Sequence, residues 1–208
     1  METPLNLTIL YTSNIRGDIH MLPRLYTFIQ TLKPYQRQGT LILDLGRSCD
    51  SDVWHCGITR GRSTLIVLDG MGYHGANVDG VLDPISRTKV DEVVTMGLVD
   101  RAHPWTYHIP PVTDNSLVVG IQPVVDETLR LQIDLTPDQQ TTIQHGVLRL
   151  ADVNARQVGV VTIDLDGMAE ITSTTVHDLP PNTPPNPTIV ASVEFVESEA
   201  RYFQKKQN

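Results

Sequence analysis

The sequence has no run of eighteen or more apolar residues, so nothing in it reads as a membrane span. A basic excess is missing too. The net charge is −8 over 208 residues, and a surface for a nucleic-acid backbone usually shows as surplus Lys and Arg, which sets nucleic acid aside as a partner. A small anion is not set aside, because it needs only a local positive cluster. The amino terminus, METPLNLTILYTSN, lacks the positive start and long apolar stretch of a signal peptide, which makes a cytoplasmic protein the expectation. Cysteine is scarce: Cys49 and Cys56 alone make a weak case for a disulfide framework. There are no internal repeats.

What is present suits one compact α/β domain over residues 1–208, long enough to bury a core of its own. Leu7 to Tyr11 reads as a buried first strand. A polar run from Thr12 to His20 follows, then a helix with Leu22, Leu25, Phe28, Ile29 and Leu32 on one face. Leu41 to Leu43 reads as a second strand and Asp44 to about Gly61 as a polar loop. Strand, crossover and strand imply a parallel pair. A second helix is expected over Ser63–Met71, a strand at Gly75–Val78 and a short helix near Lys89–Met96, ahead of a Pro-rich loop. Strand-like runs then cover Leu117–Ile121, Leu129–Leu135, Ile143–Leu150, Gly159–Leu165 and Ala169–Val176. Thr136-Pro137-Asp138 and Asp166-Gly167 read as turns between them. Residues 180–187, with five prolines, read as a stiff linker. It leads into a helix over 188–206, started by Asn186 and Pro187, whose stripe of Ile189, Val193, Val196, Ala200 and Phe203 should dock on the domain.

The first eighty residues carry a resemblance. Leu7-Thr8-Ile9-Leu10-Tyr11-Thr12-Ser13-Asn14-Ile15-Arg16-Gly17, the helix opening Leu22-Pro23-Arg24-Leu25, Leu41-Ile42-Leu43-Asp44-Leu45-Gly46-Arg47 and Leu68-Asp69-Gly70-Met71-Gly72-Tyr73 follow one another in a telling order and spacing. They are similar to the 5′-nucleotidase branch of the calcineurin-like metallophosphoesterases. The resemblance implies an αββα sandwich, here reduced by deletion. It also implies two metal ions that activate water and clamp phosphoryl oxygens.

The ligand positions differ from that pattern. Asn14 and Arg16 stand where the family has its D-x-H motif, and Arg47 where it has the aspartate of G-D. Its G-N-H falls on Asp79, Gly80 and Val81, with Asn77 nearby if the register slips. Arginine offers donors only and does not ligate a metal. An anion pocket of Arg16, Arg47 and Asn14 is therefore one reading, holding phosphate or a nucleotide without a cofactor. The plainer reading has these arginines neutralising Asp18, Asp44 or Asp50 in a dead site. A rebuilt metal site, for manganese or zinc, would draw on Asp18, His20, Asp44, Asp50, Asp52 or Asp79 in an active phosphoesterase.

Other features carry less. Asp18-Ile19-His20 spells D-x-H, but too far past the first strand. The loop Cys49 to Cys56 mixes ligand types without the close cysteine pairs and four ligands of a zinc site. Cys49 is a weak candidate nucleophile with no evident base. His103, His108 and His145 lack ligand-like spacing, and Trp105 and Tyr107 suit a packed loop. The function expected is that of a non-catalytic phosphoesterase-like domain binding a small anion or a protein partner. An active hydrolase and a structural assembly module are the alternatives.

Overall fold

The computed structural model describes residues 6–33, 39–108, 116–121 and 131–207. Its elements in order are β1 (Asn6–Thr12), α1 (Leu22–Leu32), β2 (Thr40–Asp44), α2 (Trp54–Thr59), α3 (Arg62–Gly70), β3 (Gly75–Asn77), α4 (Pro84–Asp91) and β4 (Gly97–Val99). There follow β5 (Trp105–His108), β6 (Ser116–Gly120), β7 (Gln132–Asp138), β8 (Thr142–Gln144), β9 (Val147–Ala151), β10 (Gln157–Asp164), β11 (Glu170–Asp178) and α5 (Pro187–Gln207).

One sheet has the order β11-β10-β1-β2-β3-β4 and the other β5-β6-β7-β9-β8. β1, β2, β3 and β4 run parallel, while β10 joins β1 antiparallel. Alternation along the strands builds two cores. Leu7, Ile9 and Tyr11 of β1, with Leu41 and Leu43 of β2, face the second sheet and meet Val119, Ile133 and Leu148 there. Leu10 and Ile42 point the other way, to α1, α3 and α5 through Leu25, Leu68 and Val193. Each fully buried leucine contributes about 1.5–3 kcal/mol, so these two strands anchor both layers.

Glycine matters where an aromatic ring lies over the backbone. A Cβ at Gly97 would lie 2.4 Å from Trp105, and one at Gly159 would lie 2.0 Å from Tyr11. Both aromatic rings occupy the space that the missing side chains leave. Trp105 and Tyr107 thus belong to an edge strand rather than a loop.

Several expected boundaries move. The polar loop after β2 contains α2. The helix expected near Lys89 begins instead at Pro84, capped by the Asp83 side chain, which accepts from the Ser86 N–H at 2.8 Å. The run Ile143–Leu150 is two strands folded at His145 and Gly146, whose φ of 51° and 72° turn the chain. Pro137 lies inside β7, where the pairing with β9 slips between Asp134 and Asp138. The Pro-rich loop over 109–115, and residues 129–130 of the expected strand, lie outside the described residues.

The proline segment is pinned. Arg24 donates to the carbonyl oxygens of Thr183, Pro180 and Pro181, and the Asn186 N–H donates to Pro23. Asn186 caps α5 by accepting from the N–H groups of Thr188 and Ile189. Ile189, Val193, Val196 and Ala200 of the stripe are buried, while Phe203 at its end is half-buried. No helix among the described residues is long and apolar enough to cross a membrane.

Candidate functional site

The parallel strands end side by side, so the loops after β1, β2 and β3 gather at one edge, where open α/β sheets place their sites. The first two loops prolong the sheet's pairing. The Leu45 N–H donates to Thr12 at 2.8 Å, Asn14 to Gly46 at 3.1 Å, Arg16 to Arg47 at 2.8 Å and Gly17 to Ser48 at 2.9 Å. This interlock is reached with left-handed backbone at Asn14, Arg16 and Arg47 (φ 58°, 51° and 55°). Such conformations are uncommon for residues with a Cβ and cluster at functional sites.

Beneath the loops lies a buried polar floor. Thr12 donates to Asp44 Oδ1 at 3.1 Å and meets the Tyr73 hydroxyl at 3.0 Å; the Gly46 N–H reaches Asp44 Oδ2 at 3.1 Å. Burial pushes the Asp44 carboxyl up to about 8 from 3.8, with those hydrogen bonds pulling partly back. Burial also pushes the Tyr73 hydroxyl up. Asn77 donates to the carbonyls of Leu45 and Leu135 and accepts from the Asp79 N–H. It therefore ties the two sheets together and is not among the residues lining the cavity.

Above the floor is a cavity of about 560 Å³, lined by Arg16, Arg47, Arg60, Asp50 and Asp79 with Cys49, Cys56 and the glycines 57, 61 and 80 among others. Its size is that of a small-molecule site. Three arginines face two aspartates there, and Asp79 is already paired with Arg101 at 3.1 Å. The cavity is thus locally positive on an acidic chain. Arg47 Nη1 donates to Asn14 Oδ1 at 3.2 Å. Among the described residues, neither Arg16 nor Arg47 forms an ion pair. A second, shallower recess lined by Asn14, Arg16, Arg47 and Asp152 lies against them as well.

The structure separates the expected residues into groups. Asn14, Arg16 and Arg47 come together. Asp50 and Asp79 join them at the cavity wall. Asp44 lies in the floor, Asp18 is 4.0 Å from Arg156, and His20 is 3.1 Å from Glu197 of α5. Asp50 accepts from the Asp52 N–H within its own loop. The neutralising role considered for the two arginines is therefore not realised with Asp18, Asp44 or Asp50. Arg60 went unseen in the sequence because it closes α2, an unexpected helix; its φ of 52° makes it a left-handed cap. It also reaches Asp83 at 3.6 Å.

The cysteines require a correction as well. Cys49 and Cys56 form a disulfide, so Cys49 carries no free thiol for nucleophilic attack. Cys49 lies in the loop after β2, and Cys56 on α2 sits so close to Gly17 that a Cβ there would be 2.8 Å from its sulfur. The bridge fastens the cavity wall to both loops.

The two metal ions implied by the resemblance do not fit Asn14, Arg16 and Arg47. Guanidinium groups present only donors, and Asn14 Oδ1 accepts from Arg47 while its Nδ2 donates to Asp152 and Val153.

No family model and no curated protein matches the chain. Solved structures do. The NAD nucleotidase NadN of Haemophilus influenzae superposes with a TM-score of 0.60 at 8% identity, covering 99% of this chain and 61% of that one. A 5′-nucleotidase precursor from Thermus thermophilus gives 0.60 at 9%, covering 97% and 59%. The sulfate thiohydrolase SoxB of Thermus thermophilus, in complex with glycerol, gives 0.64 at 11%, covering 96% and 61%. The chain spans about three fifths of the length of these relatives.

These findings correct the expectation that the chain takes no cofactor. The neighbours include nucleotidases, in the branch whose resemblance brings divalent metals, and among the described residues one sulfur–imidazole group is compact enough to hold a metal ion were its disulfide opened. The Cys49 and Cys56 sulfurs and a His55 ring nitrogen lie within 4.8 Å of one another. Two mixed sheets face to face, helices packed on the outer face of the first and motif-bearing loops gathered at the parallel strand ends give this chain, in shortened form, the fold shared by the NadN, 5′-nucleotidase and SoxB structures.

Proposed function

We propose that the chain binds a small phosphate-bearing anion, inorganic phosphate or a nucleotide, in the cavity at the ends of β1 and β2, and that it does so without hydrolysing it. The observation that carries this reading is the pairing of Arg16 and Arg47 on interlocked left-handed loops, beside an open cavity and without carboxylate partners among the described residues. Guanidinium forks match phosphate oxygens in planar, two-pronged hydrogen bonds. Arg60 stands on the same wall, and Asn14 holds Arg47 in place.

The absence of hydrolysis rests on the same residues. Arg16 and Arg47 occupy the places of metal ligands in the resembling family, and they can neither activate water nor accept its proton. The reading does not depend on the cytoplasmic setting expected from the amino terminus, since disulfides persist in oxidising compartments and Cys49–Cys56 forms part of the wall.

Thermal unfolding with phosphate, a nucleotide panel and manganese, each added separately, tests it. Phosphate or a nucleotide should raise the midpoint by mass action, and Arg16→Ala or Arg47→Ala should weaken binding about tenfold or more. Turnover of a phosphate ester with manganese would replace this reading with the hydrolase. No response to any ligand, with a mass that grows with concentration, would replace it with an assembly module.

A further inference from the structure

Among the described residues, the Cys49, His55 and Cys56 group is a second place where chemistry-bearing side chains converge, and its imidazole, unlike the two cysteines, has no part in lining the anion cavity. His55 is 2% exposed. Its Nε2 lies 3.0 Å from the Gly17 carbonyl oxygen, which can only accept, so Nε2 carries the ring proton. Nδ1 is left with its lone pair, facing the Ser63 hydroxyl at 2.7 Å. Ser63 Oγ in turn lies 3.9 Å from the Cys49 sulfur. Ser63 Oγ is thus within reach of both the Nδ1 lone pair and the Cys49 sulfur, and a His55 ring nitrogen lies within 4.8 Å of both sulfurs.

Metal-ligating histidines typically donate their second ring N–H to a backbone carbonyl or carboxylate, which fixes the tautomer. The His55–Gly17 bond already supplies that support. Cys49 and Cys56 are both lining residues of the cavity, the side from which a reductant and a cation would enter. Two thiolates and an imidazole suit zinc, and three protein ligands leave a fourth position open.

We propose that the reduced chain binds a zinc-type divalent cation through Cys49 Sγ, Cys56 Sγ and His55 Nδ1, and that the disulfide is the metal-free alternative of the same site. A dithiol or phosphine reductant supplies the two electrons. With a dithiol, its two protons pass to the Cys49 and Cys56 sulfurs and it leaves as its own disulfide; with a phosphine, water supplies the two protons and an oxygen, and the phosphine leaves as its oxide. Cation binding then releases both thiol protons to solvent, and the Ser63 hydroxyl gives up Nδ1. The fourth position opens on the cavity, where water or an anion completes the coordination. This site stands on residues other than Arg16 and Arg47 and holds whether or not the anion reading does.

The test uses the full chain reduced with a phosphine under anaerobic conditions and titrated with cobalt, then with zinc as competitor. One equivalent of cobalt should produce thiolate-to-metal absorption with the visible bands of a tetrahedral site, and zinc should abolish both. The oxidised chain should show neither. Cys49→Ser should weaken binding at least a hundredfold, with circular dichroism confirming its fold. His55→Gln tests the third ligand; because His55 is buried, the unfolding midpoint of the reduced wild type with and without zinc is measured beside it, and zinc should raise that midpoint. Absence of the thiolate bands in the reduced chain, equal binding by the oxidised chain or by Cys49→Ser, or an unmoved midpoint would each overturn the proposal.

Discussion

The floor and the wall of the site are built from neighbouring residues on opposite principles. In the floor, Thr12, Asp44 and Tyr73 are buried and answer one another's hydrogen bonds, Asn77 beside them bonds the Leu45 and Leu135 carbonyls, and burial pushes the Asp44 carboxyl up. In the wall, only a few residues away in sequence, Arg16 and Arg47 are exposed and held on left-handed backbone, without carboxylate partners among the described residues. Polar groups in the floor serve the fold, since a buried donor or acceptor left alone costs about 1–3 kcal/mol. Those in the wall add little to the fold. Proximity in the chain is thus no guide to role.

The largest effect expected from this contrast is one of pH. The folded Asp44 carboxyl titrates near 8 and the unfolded one near 3.8. Between those values the folded state keeps a proton that the unfolded state has lost, so stability is full below about 4 and falls as pH rises through 8. Urea unfolding from pH 5 to 9 should show a loss on the order of several kcal/mol. Asp44→Asn should remove that component while leaving phosphate affinity near wild type; an equal pH slope in the variant would show that the floor is charged after all.

Thr12→Val comes next. It removes the hydroxyl that serves both Asp44 and Tyr73 and should cost about 2–4 kcal/mol in urea unfolding, given two stranded partners. A cost within the range of surface substitutions would mean that the floor is loosely held.

The smallest effect has the opposite sign. Arg16→Gly and Arg47→Gly should each stabilise the fold by about 1 kcal/mol, because glycine adopts a positive φ without the penalty of a Cβ. The same variants should lose anion affinity about tenfold. A loss of stability instead would move these arginines from the wall's role to the floor's.

The sequence disclosed the parallel half of the fold more readily than the rest. β1, α1, β2 and α3 have apolar periods long enough to read, and their blocks carried the family resemblance. α2, with six residues and a glycine at 57, and β4, with three residues, are too short to show a period. The start of α4 was legible in Asp83-Pro84, an N-cap followed by first-turn proline, and the fold at His145-Gly146 was marked by its glycine. Pro137 misled because a proline can sit where strand pairing slips. In the site, Asn14, Arg16 and Arg47 could be picked out by comparison with a ligand pattern. Arg60 and the disulfide could not, because both depend on a helix that packs Cys56 against Gly17, a contact made only by tertiary structure.

The left-handed positions bear on how such a sequence drifts. Under selection for folding alone, codons 14, 16, 47 and 60 gain by becoming glycine, since each now holds a Cβ on a backbone that penalises it. A library sorted only for cellular abundance should therefore enrich glycine at these four sites. A library sorted for ligand capture should hold arginine at 16 and 47, so the difference between the two enrichments reads out, position by position, what the side chains are kept for.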